Sequence, residues 1–431
     1  MTAQDPFVTA ASPRTGPGRV LRATLTLLAG TAAGRALGLL SLPLLTRLCS
    51  PADFGLMAGF AALVLILSPL SNLRYVLVIA LPRREAVAVH ALALALLCSG
   101  VSCAGLALAL AGPWDLLTPL GFGALRPWAW LIALTLPAHA LFSALSQWSL
   151  RGRNYGLIAR ATWAQAWGGT LVRLGLVLAG AGAAGLMLGQ AVAMAAGSRL
   201  LLRGEAAGLR AAARHLRLRR LWRLAWAWRG FPLWRLPSQA LLALAQQGPL
   251  LFATLHYGSS GAGQLSLALN LVALPVSLLG TASGQALYAE AARSADHRQI
   301  AALARGTMLR LFLIGLAPAL LLGLGGERLF ALAFGPGWAE AGRFAALLAL
   351  PALLQLCTAP LMQLLTLRRS QALFLVLNLG RALLLALVFA LTLESGADPA
   401  GFVQIYAASL CLLWPLLALC VLQSLRMREP R

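Results

Sequence analysis

The sequence predicts an all-α polytopic membrane protein, with twelve transmembrane helices in two six-helix lobes around a central cavity. Three observations predict it. The 431 residues are 60% hydrophobic and only 11% charged, with a mean hydropathy of +0.79; no water-soluble surface exposes that much apolar side chain and no single globular core buries it. Apolar runs of about 20 residues, the length that a bilayer crossing needs, recur along the whole chain. The arginines between those runs alternate from one side to the other.

In chain order, residues 1–21 are predicted to be a cytoplasmic tail. Arg14, Arg19 and Arg22 precede the first apolar run, but that run is longer than a signal-peptide core and eleven more follow it, which argues against a cleaved leader. The spans are expected at roughly 22–47, 54–81, 86–111, 127–149, 154–179 and 183–202 in an N-lobe (22–202). After a linker (203–234) they resume at roughly 235–256, 261–288, 302–325, 341–366, 370–393 and 400–424 in a C-lobe (235–425). Residues 426–431 form a second tail. With both termini in the cytoplasm, the outer loops hold only Arg47, Arg126, Arg328 and Arg343, and every inner loop is basic. Most of the formal charge of +23 is therefore topogenic, which removes nucleic acid as a partner.

Local chemistry supports several of these elements. Ser50, Pro51 and Asp53 suit N-cap, N1 and N3 of the second span. Gly30, Gly34 and Gly38 repeat every fourth residue, as in closely packed membrane helices. In the linker, Leu218, Leu221, Trp222, Ala225 and Trp226 form a predicted apolar stripe beside Arg217, Arg220 and Arg223, the pattern either of a helix on an anionic membrane face or of a topogenic linker that happens to be helical. The six cysteines show neither C-x-x-C spacing nor a histidine partner and are read as packing residues. No Walker A sequence, zinc-ligand pattern or carboxylate pair occurs within a span, so no cofactor is expected. The short outer loops and missing catalytic acids disfavour a membrane glycosyltransferase or polymerase.

The candidate functional residues are charges and amides inside the membrane. All twelve acidic residues fall in tails, loops or span edges. Arg199, Arg235, Arg310 and Arg173 lie near span ends, where snorkelling accounts for them. Arg160 and Arg74 are deeper. Arg35 and Arg381 are expected roughly 18 Å from the nearest boundary markers, at 1.5 Å per residue. An arginine at the bilayer centre costs about 2.5–3.5 kcal/mol and usually finds a carboxylate. None is available here. Either neighbouring carbonyls and amides satisfy these arginines, or they line a cationic, water-filled cavity that receives an anion. Asn378 shares a helical face with Arg381; Gln246, Gln247 and Asn270 are further lining candidates. His139 is the one deep side chain able to titrate near neutral pH, as a proton carrier or as a packing residue.

The stretches "GRALGLLSLPLLTRLCSPADFGLMAGF", "LRYVLVIALP" and "LFALAFGPGWAEAGRFAALLALPALLQLCTAPL" resemble the Wzx-type oligosaccharide flippases of the polysaccharide-export family. The resemblance implies two rocking lobes in the bacterial inner membrane that move an isoprenoid-pyrophosphate-linked oligosaccharide to the outer leaflet, with polysaccharide polymerase machinery as a further partner; the basic linker separately points to anionic membrane lipids. Independently of the resemblance, guanidinium suits pyrophosphate, so Arg35, Arg74 and Arg381 are expected to draw the head group into the cavity, with Arg74 either such a guide or a snorkelling anchor of the second span. Where the family commonly reads R-Y-E, this chain has Arg74, Tyr75 and Val76, so the carboxylate that could carry protons is missing. A peptidoglycan-precursor flippase, a cation-coupled drug exporter and a non-transporting scaffold of a polysaccharide assembly complex are the rival readings.

Overall fold

A computed structural model of the chain describes residues 34, 36–82, 84–112, 117–119, 122–206, 209–210, 216–291, 297–367 and 371–426, and the statements below concern these. The described residues are almost wholly helical, including the described part of each predicted span apart from a break in the second. The first half comprises α1 (Ala36–Leu48), α2 (Pro51–Ser71), α3 (Glu85–Ala111), α4 (Ala129–Arg151), α5 (Tyr155–Leu178), α6 (Gly182–Ala195) and α7 (Ser198–Gly204). After α8 (Leu218–Ala227), the second half comprises α9 (Leu236–Pro275), α10 (Thr281–Ala291), α11 (His297–Phe334), α12 (Ala339–Leu367), α13 (Gln371–Ser395) and α14 (Pro399–Arg426). Eight helical stretches are long and apolar enough to cross a bilayer.

Helix starts and breaks follow local chemistry. The predicted cap of α2 is present as a reciprocal box: the Asp53 amide donates to Ser50 Oγ at 3.2 Å, while the Ser50 amide and hydroxyl donate to Asp53 Oδ2 at 2.9 and 2.8 Å. The 40 residues of α9 would reach about 60 Å as one straight helix, twice the hydrocarbon thickness. Gly258, at φ 71° and ψ −173°, divides them into two helices at the predicted boundary. Gly197, at φ 91°, separates α6 from α7.

Three expectations are corrected. The second span does not run to residue 81: α2 ends at Ser71, Leu73 and Arg74 take positive φ of 46° and 61°, and a 3₁₀ helix follows over Tyr75–Ala80. The Arg74 amide donates to Asn72 Oδ1 at 3.0 Å, an Asx turn that competes with helix continuation. The predicted stripe of α8 is split. Leu221, Leu224, Ala225 and the following Trp228 pack on the protein, whereas Trp222 and Trp226 are exposed; the Leu218 side chain lies outside the described residues. Of the glycine repeat, Gly34 sits against Ala166 of α5, Gly38 faces open space and Gly30 lies outside the described residues.

The two halves meet chiefly through α2 and α9. A Cβ on Gly55 would overlap the Ser259 carbonyl, and one on Gly263 would overlap the Pro51 carbonyl. The helices touch backbone to backbone there, which any larger residue forbids. Phe54, Ala58, Ala262, Leu265, Phe330, Trp338 and Phe344 close over this contact in one buried cluster. Phe252 of α9 extends the cluster into the second half, stacked on Phe389 of α13 at 4.6 Å and near Phe402 of α14 at 4.8 Å.

Replacing Gly263 with valine should therefore cost about 1–3 kcal/mol of stability through overpacking. Gly105→Ala, at an α3 position with nothing within 4 Å, should be neutral or mildly stabilising. Thermal unfolding of the two purified variants in detergent checks the contrast.

Candidate functional site

The α2–α9 contact lies at the arginine-poor end of the bundle, where polar bonds lock it. Gln264 of α9 uses both ends of its amide: Nε2 donates to the Gly337 carbonyl at 2.7 Å, and Oε1 accepts from the Ala341 amide at 2.9 Å. The buried Trp338 indole donates to the Thr46 carbonyl at 2.8 Å and meets Phe54 edge-on at 4.9 Å. Arg47 donates to the Leu332 carbonyl at 3.2 Å. The turn between α1 and α2 is thus held against the turn between α11 and α12. Cys49, in that first turn, is buried; burial and then the nearby Asp53 charge push its thiol up to about 11.

At the arginine-rich end a further polar bond crosses between the halves. Arg74 lies half-buried after the end of α2, and its guanidinium donates to Gln239 Oε1 of α9 at 2.6 Å. Arg235 is the neighbouring charge, of the same sign. The Arg74 Nε is buried without an acceptor. Its partner is thus a neutral amide, leaving the positive charge uncompensated.

Arg381 of α13 borders a narrow recess with Ala245, Tyr406 and Ser409, and its guanidinium lies 5.8 Å from the centre of the Trp414 ring. The cation faces an aromatic ring and hydroxyl groups. Trp414 Nε1 is itself buried without an acceptor.

The other predicted residues are placed more dispersedly. Arg160 is exposed on α5, along the same side as Trp163 and Trp167. Gln246 is exposed, Gln247 half-buried, and Asn270 exposed with its amide donating back to Ser266 O at 2.9 Å. His139 is half-buried, with an unpartnered Nδ1. Arg217, Arg220, Trp222 and Arg223 are exposed around α8. Arg35 and the Asn378 side chain lie outside the described residues. Arg173, read as snorkelling, instead donates to Gln190 Oε1 of α6 at 2.6 Å. Sequence reasoning passed over Gln239 and Gln264; the signal available was an amide inside an apolar run, beside a glycine in the case of Gln264.

Comparison with known proteins adds three findings. A family profile described as "Polysaccharide biosynthesis protein" matches residues 44–342. No curated protein matches the chain. Among solved structures, an inward-facing multidrug resistance MATE family transporter of the MOP superfamily aligns over 94% of this chain and 96% of its own, at 15% identity and a TM-score of 0.62. Its outward-facing counterpart aligns over 94% and 95%, at 16% identity and 0.51. A MOP superfamily transporter from Pyrococcus furiosus, described as having a binding pocket of reverse polarity that suggests a different function, aligns over 94% and 97%, at 14% identity and 0.54. The fold is therefore that of MOP-superfamily transporters.

The lock has a direct readout in Cys49. Gln264→Ala removes the bond to the Gly337 carbonyl and leaves the buried Ala341 amide without its partner, at about 1–3 kcal/mol. It should accelerate maleimide labelling of Cys49 by about tenfold. Because the thiolate is the reactive form, wild-type labelling should stay slow at pH 7.5 and rise steeply with pH.

Proposed function

Because this chain belongs to the polysaccharide biosynthesis protein family, we propose that it is a flippase for lipid-linked oligosaccharides. In this reading it resides in the bacterial inner membrane with both termini cytoplasmic. It takes an isoprenoid-pyrophosphate-linked repeat unit at the arginine-rich, cytoplasmic end and delivers it to the outer leaflet, where a polysaccharide polymerase consumes it. Residues 22–202 and 235–425 act as the two lobes, joined by the linker 203–234.

One observation carries the proposal. Two guanidinium groups within the helical body, Arg74 and Arg381, have a neutral amide and an indole ring as partners. A buried or half-buried cation without a carboxylate is costly until an anion arrives, and a pyrophosphate presents oxygens in the geometry a guanidinium fork matches. The closed arginine-poor end and the higher similarity to the inward-facing structure than to the outward-facing one support a state that waits for cytoplasmic substrate.

The transport cycle follows from these parts. The head group enters from the cytoplasmic side, displaces Gln239 from Arg74 and engages Arg381, with Arg35 a third guide. The lipid tail stays in the bilayer. Opening then requires the Gly55–Gly263 contact and the Trp338–Thr46 and Arg47–Leu332 bonds to part while the arginine-rich end closes. With the cell interior negative, outward movement of anionic charge gains about 2.3 kcal/mol per charge per 100 mV, provided the arginines do not travel with it.

Flipping of a fluorescent undecaprenyl-pyrophosphate oligosaccharide in proteoliposomes tests the reading. Arg74→Ala and Arg381→Ala should each slow it by about tenfold or more, matching about 1.5–3 kcal/mol for a charge-assisted hydrogen bond. Gln239→Glu, which supplies Arg74 with a carboxylate, should also slow it. Full flipping by both arginine variants would make these residues structural, and an inactive wild type would reject this substrate.

A further inference from the structure

We propose that α8 is a binding surface for anionic phospholipid headgroups, wedged in the corner between the protein and the bilayer on the arginine-rich side. The argument begins with its docked face. Leu221, Leu224, Ala225 and Trp228 pack into a buried cluster with Tyr75, Val76, Val89, Leu92 and Trp148. Two hydrogen bonds fix the helix on that cluster: Tyr75 Oη donates to the Ala225 carbonyl at 3.1 Å, and the Arg217 amide donates to Nε2 of the buried His90 at 3.2 Å. The helix is therefore bolted to the protein and does not float on the membrane.

Its second face is exposed. At about 100° per residue, Trp222 and Trp226 lie a quarter turn around the helix from Leu221 and Ala225. The apolar arc continues past the docked face, and the two indoles remain 69% and 54% exposed, edge-to-face at 6.4 Å. Large aromatics beside water are favoured where one side is lipid and the other headgroup. The next positions around the helix, Arg219 and Arg223, and then Arg220, are exposed arginines, while the Arg229 guanidinium covers the Trp226 ring at 4.9 Å.

Charge identifies the occupant. Between Glu205 and Glu290 the sequence contains no Asp or Glu, so no carboxylate near in the chain accompanies the α8 arginines, and clusters of this kind match anionic lipid. Position agrees: α8 leads through the turn Phe231–Arg235, with Leu233 60% exposed, directly into the membrane helix α9. This inference holds for any transported substrate.

Amide exchange of the full-length protein in nanodiscs of phosphatidylcholine alone, or with about one third phosphatidylglycerol, tests it. Exchange of residues 217–229 should slow about fivefold or more in the anionic discs, and 0.5 M salt or the triple variant R219Q/R220Q/R223Q should abolish the slowing, with exchange in α2 and α9 unchanged as the control on folding. Brominated lipid should quench wild-type fluorescence more than that of W222F/W226F. Equal exchange in the two discs would overturn the proposal. So would equal slowing in neutral discs on adding a soluble poly-glutamate peptide, which would assign the surface to an acidic protein partner.

Discussion

The rest of the structure depends on the place where α2 and α9 touch without side chains between them. Gly55 and Gly263 bring the two backbones together, while within the second half Gln264 ties α9 to Gly337 and Ala341 at the α11–α12 turn. The same approach seats Trp338 under Thr46 and buries Cys49. Close-packed interiors do not deform gradually, so such a contact is either made or absent. In this structure the contact is made, and the arginine-poor end is closed.

Electrostatics sets the character of the opposite end. The chain keeps its carboxylates out of the spans and leaves Arg74 and Arg381 with neutral company. In a medium of low dielectric an uncompensated guanidinium is a strong attractor of anions, and the nearby Arg235 reinforces Arg74 instead of relieving it. The break that places Arg74 is itself local chemistry: Asn72 turns the backbone, and two residues with positive φ redirect the chain into a buried 3₁₀ segment. That segment also forms part of the seat for α8, so one irregular stretch positions both the charged group and the peripheral helix.

The sequence by itself determined the all-helical, membrane-spanning character of the chain, the capping box at Ser50–Asp53 and the break near Gly258. These depend on the hydrophobicity of contiguous residues and on bonds between near neighbours, which hold whatever packs around them. It also exposed Arg74 and Arg381 as candidates, because a charge in an apolar run is costly before its partner is known. Only the tertiary structure decided what those charges meet: Gln239 lies 165 residues from Arg74, and Gln264 reaches a carbonyl 73 residues away. It likewise decided which glycines carry a helix crossing, Gly55 and Gly263 rather than Gly38, and which face of α8 is docked. Periodicity marks an apolar face but not its neighbour, since the surface that covers a helix is supplied by distant parts of the chain.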